Sequence, residues 1–308
     1  MDGIVIINKP KQQTSHDIVR KAKKILNEKV GHTGTLDPNA TGVLPLLIGK
    51  GTELSKYLIN HDKTYEAILQ LGEKRDTGDV EGKIIEQKNV TEKSLNTENI
   101  NSVFKTLIGK QEQIPPIYSA LKVNGKKLYE YARNGENVKI EPRQIEIYSL
   151  ELLNVDNINK TIHFKVECSK GTYIRTLIDD IGKKLGCGAC MLSLKRTRVG
   201  QFEIDDSLTL NQISALLLKG ELGEYIIAAD DVFDYPKLSV DSEYNKLLYN
   251  GNKLPVDAVR EIERTLTQQA EQKYRIYDEN GIFIGIYEYI DSMLVPEKIF
   301  YSGEHDEM

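Results

Sequence analysis

Cysteine is scarce in this chain, which holds Cys168, Cys187 and Cys190 as its three examples among 308 residues. So few cysteines cannot form the disulfide framework on which small secreted proteins depend. Cys187 and Cys190 make a CxxC pair, but no second CxxC and no HxxxH accompanies it, as a zinc site would require. We therefore expect the pair to pack near a helix end, with a redox or zinc role as the weaker alternative.

Long apolar runs are also missing, and none approaches the ~20 residues that cross a bilayer. The first segment, MDGIVIINKPKQQ, has no basic start, long apolar centre or small-residue cleavage site, so it does not look like a secretory signal. A hydrophobic content of 40% and a charged content of 28% are typical of soluble globular proteins. We expect a cytoplasmic protein that does not associate with membranes.

Cofactor motifs are absent as well: there is no glycine-rich phosphate loop before a helix, no HExxH and no metal-ligand spacing. The formal net charge of −5 argues mildly against a nucleic-acid partner. Phosphate binding needs only a local basic stripe, however, and each single cluster is also typical of a solvated face. Candidate clusters lie at residues 20–24, 122–133, 183–184 and 195–198.

Secondary-structure patterns indicate an α+β fold. Residues 3–8 form an apolar run typical of a buried strand, and Thr14 with Asp17 indicates a helix start. A strand follows at 43–48, where Pro45 indicates an edge or a bulge, and Thr52 is expected to cap a helix. Alternating strands at 65–71, 145–147 and 162–168, with helices at 100–108 and 174–181, predict a mixed, mainly antiparallel sheet with flanking helices.

Two domains are expected, at 1–235 and 236–308. Residues 112–136 form a long, partly helical insertion in the first, and such insertions are commonly functional or disordered. The second is a small β-rich module with a helix near 241–249, a helix or loop near 257–272, and a hairpin turn at DENG, residues 278–281.

The loop GHTGTLDPNATGVLPLLIG, residues 31–49, carries one acid, Asp37. Gly34 and Gly42 permit backbone shapes that side chains forbid, and Pro38 moves Asp37 away from helical geometry. A carboxylate on a rigid loop suits a nucleophile or a general base. Turn chemistry alone favours a simple turn with a solvated acid.

Three further pieces carry candidate residues: Tyr65 in HDKTYEA, Tyr173 and Arg175 in SKGTYIR, and Leu194 in MLSLKRTRVG. Each has an ordinary explanation by itself, as a strand aromatic, a helix-start packing residue or a helix ion pair with Asp179. No spacing rule joins these pieces to Asp37.

A family resemblance does join them. GHTGTLDPNATGVLP closely resembles the catalytic loop of the TruB family, the tRNA pseudouridine-55 synthases, and KTYEA, SKGTYIR and IPPIYSALKVNGKKLYEYARNG match further family motifs in order along residues 1–235. The resemblance implies the pseudouridine synthase fold, a C-terminal PUA-like domain, and tRNA as partner, with the insertion gripping its T-arm. It places the catalytic acid at Asp37, a stacking tyrosine at Tyr65, a second tyrosine and an arginine at Tyr173 and Arg175, and substrate contacts at His32 and Leu194.

The implied reaction breaks the N1–C1′ bond of a uridine and restores the link through C5, which requires neither a cofactor nor a metal. Asp37 could attack C1′ or C6, or stabilise a positive sugar. Arg175 would orient Asp37, and Tyr65 could stack on the flipped-out base and take the C5 proton. His32 could fill the space that the flipped base vacates, or bond to the backbone.

Other functions stay open from the sequence: a non-catalytic tRNA-binding protein or folding chaperone, a hydrolase that uses Asp37 with a water, and a guide-RNA-dependent relative.

Overall fold

The computed structural model describes residues 1–58, 61–261 and 272–301. The chain divides into two compact units. The larger comprises Val5–Leu47 and Ser55–Glu224, and the smaller comprises Met1–Ile4, Ile48–Leu54 and Tyr225–Met308. Among the described residues, no helix combines the length and the apolar character needed to cross a membrane. The predicted boundary between 235 and 236 stays a prediction.

The larger unit contains most of the strands and helices. Apart from Gly3, Ile4 and Ile48, which belong to the smaller unit, it contains the strands β1 (Gly3–Lys9), β2 (Val30–His32), β3 (Thr41–Ile48), β4 (Lys63–Leu71), β5 (Glu73–Arg75), β6 (Ile84–Gln87), β7 (Gly109–Gln113), β8 (Lys122–Val123), β9 (Lys126–Lys127), β10 (Arg143–Asp156), β11 (Thr161–Cys168), β12 (Ala189–Val199) and β13 (Phe202–Glu203). Its helices are α1 (Ser15–Leu26), α2 (Ser55–Leu58), α3 (Glu92–Leu95), α4 (Thr97–Lys105), α5 (Leu128–Arg133), α6 (Ile174–Lys184) and α7 (Leu210–Lys219).

The main sheet runs in the order β1-β3-β12-β4-β11-β10-β7, with β2 on β3 and β13 on β12. The pairing of β12 with β3 is parallel, whereas β4, β10 and β11 pair antiparallel with their neighbours. Helices α4 and α6 contribute to the same buried core as these strands, where Phe104 meets Phe164 edge to face with ring centroids 5.8 Å apart. The predicted α+β class with a mixed, mainly antiparallel sheet is confirmed.

The helix start predicted at Thr14 and Asp17 is confirmed in α1. The Thr14 side chain accepts from the Asp17 amide, and the Asp17 carboxylate accepts from the Thr14 amide, which forms a complete capping box. The buried residues Ile18, Val19, Ala22 and Leu26 then recur at helical spacing.

Some local expectations were wrong. Strand β3 lies between β1 and β12, so Pro45 is not on an edge strand. The pairing of β3 with β12 is at Thr41 and Gly42, ahead of Pro45, so the missing amide hydrogen of the proline costs no bond to β12. Thr52 does not cap a helix: it lies within a 3-10 segment, Gly49–Leu54, and its hydroxyl donates to the Gly49 carbonyl. Helix α4 ends at Lys105, earlier than the stop expected at Gly109.

The insertion at 112–136 is partly helical, as predicted. It contains the end of β7, a loop, the two-stranded pair β8–β9 and helix α5. Backbone bonds tie the loop to α5, because the amides of Leu128 and Tyr129 donate to the carbonyls of Leu121 and Ser119.

The smaller unit is rich in β structure, as expected. Its strands are β14 (Lys237–Val240), β15 (Leu254–Pro255), β16 (Val259–Glu261), β17 (Lys273–Tyr277), β18 (Phe283–Ile290) and β19 (Met293–Ile299), in the sheet order β15-β19-β18-β17-β14-β16. Helix α8 covers Asn245–Tyr249. The DENG hairpin is confirmed, since β17 and β18 pair antiparallel and the Asp278 carboxylate accepts from the amides of Asn280 and Ile282. Most of the stretch expected as a helix or loop near 257–272 lies outside the described residues.

Candidate active site

A cavity of about 370 Å³ lies within the larger unit. Five residues predicted for the site line it: Asp37, Tyr65, Tyr173, Arg175 and Leu194. They come from a loop, from the neighbouring strands β4 and β12, and from the start of α6. The fold therefore brings together pieces that are far apart in the sequence.

Asp37 and Arg175 form an ion pair in this cavity. Arg175 Nε lies 3.0 Å from Asp37 Oδ2, and Arg175 Nη2 lies 3.4 Å from Asp37 Oδ1. The Arg175 side chain is 7% exposed and that of Asp37 is 39% exposed. Arg175 also donates to the carbonyls of Thr77 and Tyr118, at 2.9 Å each. The guanidinium is thus fixed by backbone groups and orients a carboxylate that solvent can still reach.

The loop that carries Asp37 is held from behind by three buried side chains. Lys9 Nζ donates to the carbonyl of Pro38 at 3.0 Å, and Ser15 Oγ accepts from the Leu36 amide at 2.9 Å. Arg196 donates to the carbonyls of Gly34 and Val43, at 2.8 Å each. Because these contacts reach the backbone on both sides of Asp37, they fix the loop and not only its side chain.

Tyr65 is 8% exposed and lies beside Arg196, its register partner across β4 and β12. Burial raises the pKa of the Tyr65 phenol, and a hydrogen bond from the Arg196 guanidinium opposes that rise. Burial also lowers the pKa of Arg196. Tyr65, which lines the cavity, is therefore a neutral aromatic side chain whose oxygen is already hydrogen-bonded to Arg196.

Tyr173 and Leu194 complete the lining. Tyr173 precedes the first residue of α6, and its amide donates to the side chain of Gln113 at 2.8 Å, while its carbonyl accepts from the same side chain at 3.2 Å. Leu194 is 8% exposed and pairs with Ala67 across the sheet. Together with Tyr65 they give the cavity apolar walls.

His32 is not among the residues that line this cavity. It ends β2, is half-buried, and burial lowers its pKa. Its Nδ1 atom is buried with no hydrogen-bond partner among the described residues. Its predicted contact with substrate stays a prediction.

Sequence reasoning missed three residues of this region: Lys9, which braces the loop, and Lys63 and Ser119, which line the cavity. Lysines are rarely buried, so a lone sequence gives little reason to place Lys9 or Lys63 inside. One signal could have found Lys63, because it lies two residues before Tyr65 on a strand and so shares its face.

The basic cluster at 195–198 does not behave as expected. Arg196 is 1% exposed and its donors face the interior. Arg198 pairs with Glu167 and donates to the Gly200 carbonyl. Lys195 is exposed. The prediction that Arg196 contacts phosphate at the surface is therefore wrong.

Chemically, this arrangement presents an oriented, ionisable carboxylate beside an aromatic ring in a cleft with apolar walls, which can receive a planar, partly polar ring. Cys187 and Cys190 are both buried and free. In the described ranges, no group of three or more His, Cys, Asp and Glu side chains is arranged to hold a metal ion.

Comparison with known families finds two matches. Residues 22–174 match the TruB family pseudouridylate synthase (N-terminal domain), and residues 175–232 match the tRNA pseudouridylate synthase B C-terminal domain. The chain is 43% identical to tRNA pseudouridine synthase B of Clostridium kluyveri over 289 residues, which is 93% of this chain and 95% of that protein. It is 40% identical to the protein of the same name from Bacillus cytotoxicus, over 99% of both chains.

Solved structures share the architecture. A chain in the structure of an H/ACA RNP bound to a substrate RNA containing 2′-deoxyuridine matches with a TM-score of 0.69 and 25% identity, over 98% of this chain and 86% of that one. A chain in a Cbf5-Nop10-Gar1 complex matches with a TM-score of 0.68 and 26% identity, over 97% of this chain and 85% of that one.

Proposed function

Because this chain belongs to the TruB family of pseudouridylate synthases, we propose that it isomerises uridine-55 in the T-loop of tRNA to pseudouridine. Asp37 is the nucleophile and acts on a flipped-out uridine. The observation that carries the proposal is the Asp37–Arg175 ion pair in a cavity that Tyr65 also lines. That pairing puts a charged carboxylate where a base could enter.

The proposed roles follow from the contacts. Arg175, fixed by two carbonyls, keeps the Asp37 carboxylate in one orientation. Tyr65 stacks on the uracil, which offsets part of the few kcal/mol that flipping costs. Because burial raises the pKa of Tyr65, its phenol stays protonated near neutral pH, and stacking is its main role ahead of proton removal at C5. Tyr173 and Leu194 contact the same base, and His32 contacts the RNA.

Recognition of tRNA follows the rule for folded RNA, which is bound through its shape, its phosphates and its splayed bases. The insertion at 112–136 grips the T-arm, and the clusters near 20–24 and 122–127 contact phosphates. The relatives named as tRNA enzymes are 40% to 43% identical over nearly the whole chain. The H/ACA relative is 25% identical, so a stand-alone tRNA enzyme is favoured over a guide-dependent one. A cytoplasmic location accords with a tRNA substrate.

The test is Asp37→Asn, assayed on an unmodified tRNA transcript with pseudouridine mapped by position. We expect product formation to fall at least ~10³-fold while RNA binding stays within about threefold, because a nucleophile is lost without loss of shape. The matched control is Asp180→Asn, on the outer part of α6 and paired with Lys183, which should keep full activity.

Each other outcome identifies a different function. A normal rate in Asp37→Asn would show that Asp37 is not catalytic. Wild-type protein that binds tRNA but makes no pseudouridine would be the non-catalytic binder or chaperone. Release of free uracil would identify a hydrolase.

A further inference from the structure

Lys63 is a buried cation that the proposed roles above leave unused. It begins β4, is 7% exposed, and lines the cavity with Tyr65, its second neighbour on the same face of the strand. The turn residues Gly171 and Thr172 line the cavity with it.

The ammonium group of Lys63 is poorly partnered. Among the described residues it meets one acceptor, the carbonyl of His61. Lys9 offers a direct contrast, since its ammonium donates to three carbonyls, those of Pro10, Gln13 and Pro38. A lysine ammonium has three donors, so Lys63 has donor capacity that the described residues leave unfilled.

The charge balance of the cavity points the same way. Asp37 is neutralised by Arg175, while Lys63 and Arg196 form no ion pair with a described carboxylate. The Arg196 guanidinium donates hydrogen bonds to the carbonyls of Val43 and Gly34 and to the side chain of Tyr65. Burial lowers the pKa of Lys63 to about 8, as expected for a cation without a counter-ion. A ligand that fits the part of the cavity lined by Lys63 therefore carries a negative charge and hydrogen-bond acceptors.

We propose that Lys63 binds a backbone phosphate that flanks the target uridine and so positions the nucleotide whose base enters the cavity. This inference rests on the proposed function, because it takes an RNA nucleotide as the occupant. A nucleotide within RNA carries a phosphate on each side, and an ammonium binds phosphate as a point charge. Lys63 is a substrate-binding residue in this role and takes no part in bond breaking.

The experiment combines protein and RNA changes. Lys63→Met removes the charge and Lys63→Arg keeps it, and the matched control is Lys165→Met, an exposed lysine on β11. Three RNAs are used: the natural backbone, a neutral methylphosphonate on the 5′ side of the target uridine, and one on the 3′ side. Steady-state rates and the Kd by titration are measured at several salt concentrations.

We expect Lys63→Met to raise KM and Kd about tenfold, with kcat within about twofold of wild type. The slope of log Kd against log salt concentration should fall by the amount that about one phosphate contact contributes. Lys63→Arg should restore most of the affinity. One methylphosphonate should weaken binding to the wild type but leave binding to Lys63→Met unchanged, which identifies the phosphate.

Two results would overturn the proposal. If both methylphosphonates weaken wild type and Lys63→Met equally, Lys63 contacts neither phosphate. If kcat falls about 10²-fold while KM is unchanged, Lys63 acts on charge that develops on the uracil instead. If Lys63→Met does not fold, the Kd values of Lys63→Arg for natural RNA and of the wild type for the two methylphosphonate RNAs test the proposal instead. The Kd measurements remain informative even if the wild type forms no pseudouridine, so this failure is distinct from failure of the proposed function.

Discussion

Two walls of the cavity are held in different ways. Residues 34–40, the loop wall, carry Asp37 and are fastened by the side chains of Lys9, Ser15 and Arg196. Residues 114–121, the segment wall, are fastened through their backbone by Arg175 and by the first residues of α5. The Ser119 hydroxyl in the segment wall is buried with no hydrogen-bond partner among the described residues.

The difference separates two tasks. Every contact that fixes the loop wall is complete before RNA arrives, which suits a carboxylate whose position must be accurate to a fraction of an ångström. The segment wall contains a hydroxyl, that of the cavity-lining residue Ser119, that no described residue bonds, which suits a surface that completes its bonding with substrate. Changes in the loop wall should therefore lower stability and rate together, whereas changes in the segment wall should spare stability.

The largest effect is expected from Lys9→Met. Loss of the ammonium leaves three partly buried carbonyls without their donor, so we expect the free energy of unfolding to fall by about 3 kcal/mol. A loop shifted by about 1 Å should also lower kcat about 10²-fold. Thermal unfolding and single-turnover rates measure the two effects, and Lys29→Met, at an exposed lysine, is the control. Normal stability and rate would show that Lys9 does not fix the loop.

The matched pair Ser15→Ala and Ser119→Ala compares the walls with the same chemical change. Ser15 accepts from the Leu36 amide and donates to the Leu36 carbonyl. Removal of its hydroxyl leaves the buried Leu36 amide without an acceptor, so the free energy of unfolding should fall by about 2 kcal/mol. Ser119 has no such bond to lose, so its substitution should change stability by less than about 0.5 kcal/mol. Denaturant unfolding of both variants measures these changes. Equal losses of unfolding free energy would show that the two walls do not differ in this way.

Local patterns in the sequence were enough to predict much of the fold. The capping box at Thr14 and the alternation in β4 depend on neighbours a few residues apart, so α1 and β4 were predicted correctly. Of the edge or bulge expected at Pro45, the edge was wrong because strand order depends on partners distant in sequence, here β1 and β12.

The site was predictable only in part. Asp37 and Arg175 are 138 residues apart, and no spacing rule places them in one site. They were assigned to one site because both lie in motifs that resemble those of the family. The buried cations were misjudged for a physical reason. Lysine and arginine are normally exposed, so Arg196 was placed among phosphate contacts, and Lys9 and Lys63 were overlooked. Their burial becomes intelligible only when the carbonyls and the cavity around them are known.

A smaller effect than those expected for Lys9→Met and Ser15→Ala is a pH dependence that tests the Lys9 ammonium. Burial lowers the pKa of Lys9 to about 8, from 10.5 for an unburied lysine. Between these values the unfolded chain holds a proton that the folded protein has released, so stability rises with pH in that window. The advantage of wild type over Lys9→Met should therefore grow by about 1 kcal/mol from pH 7 to pH 9, as measured by denaturant unfolding. Because every other side chain is the same in both proteins, the difference isolates Lys9. A difference that shrinks over this range would mean that the folded loop wall prefers the charged ammonium, and that its carbonyls outweigh the cost of burial.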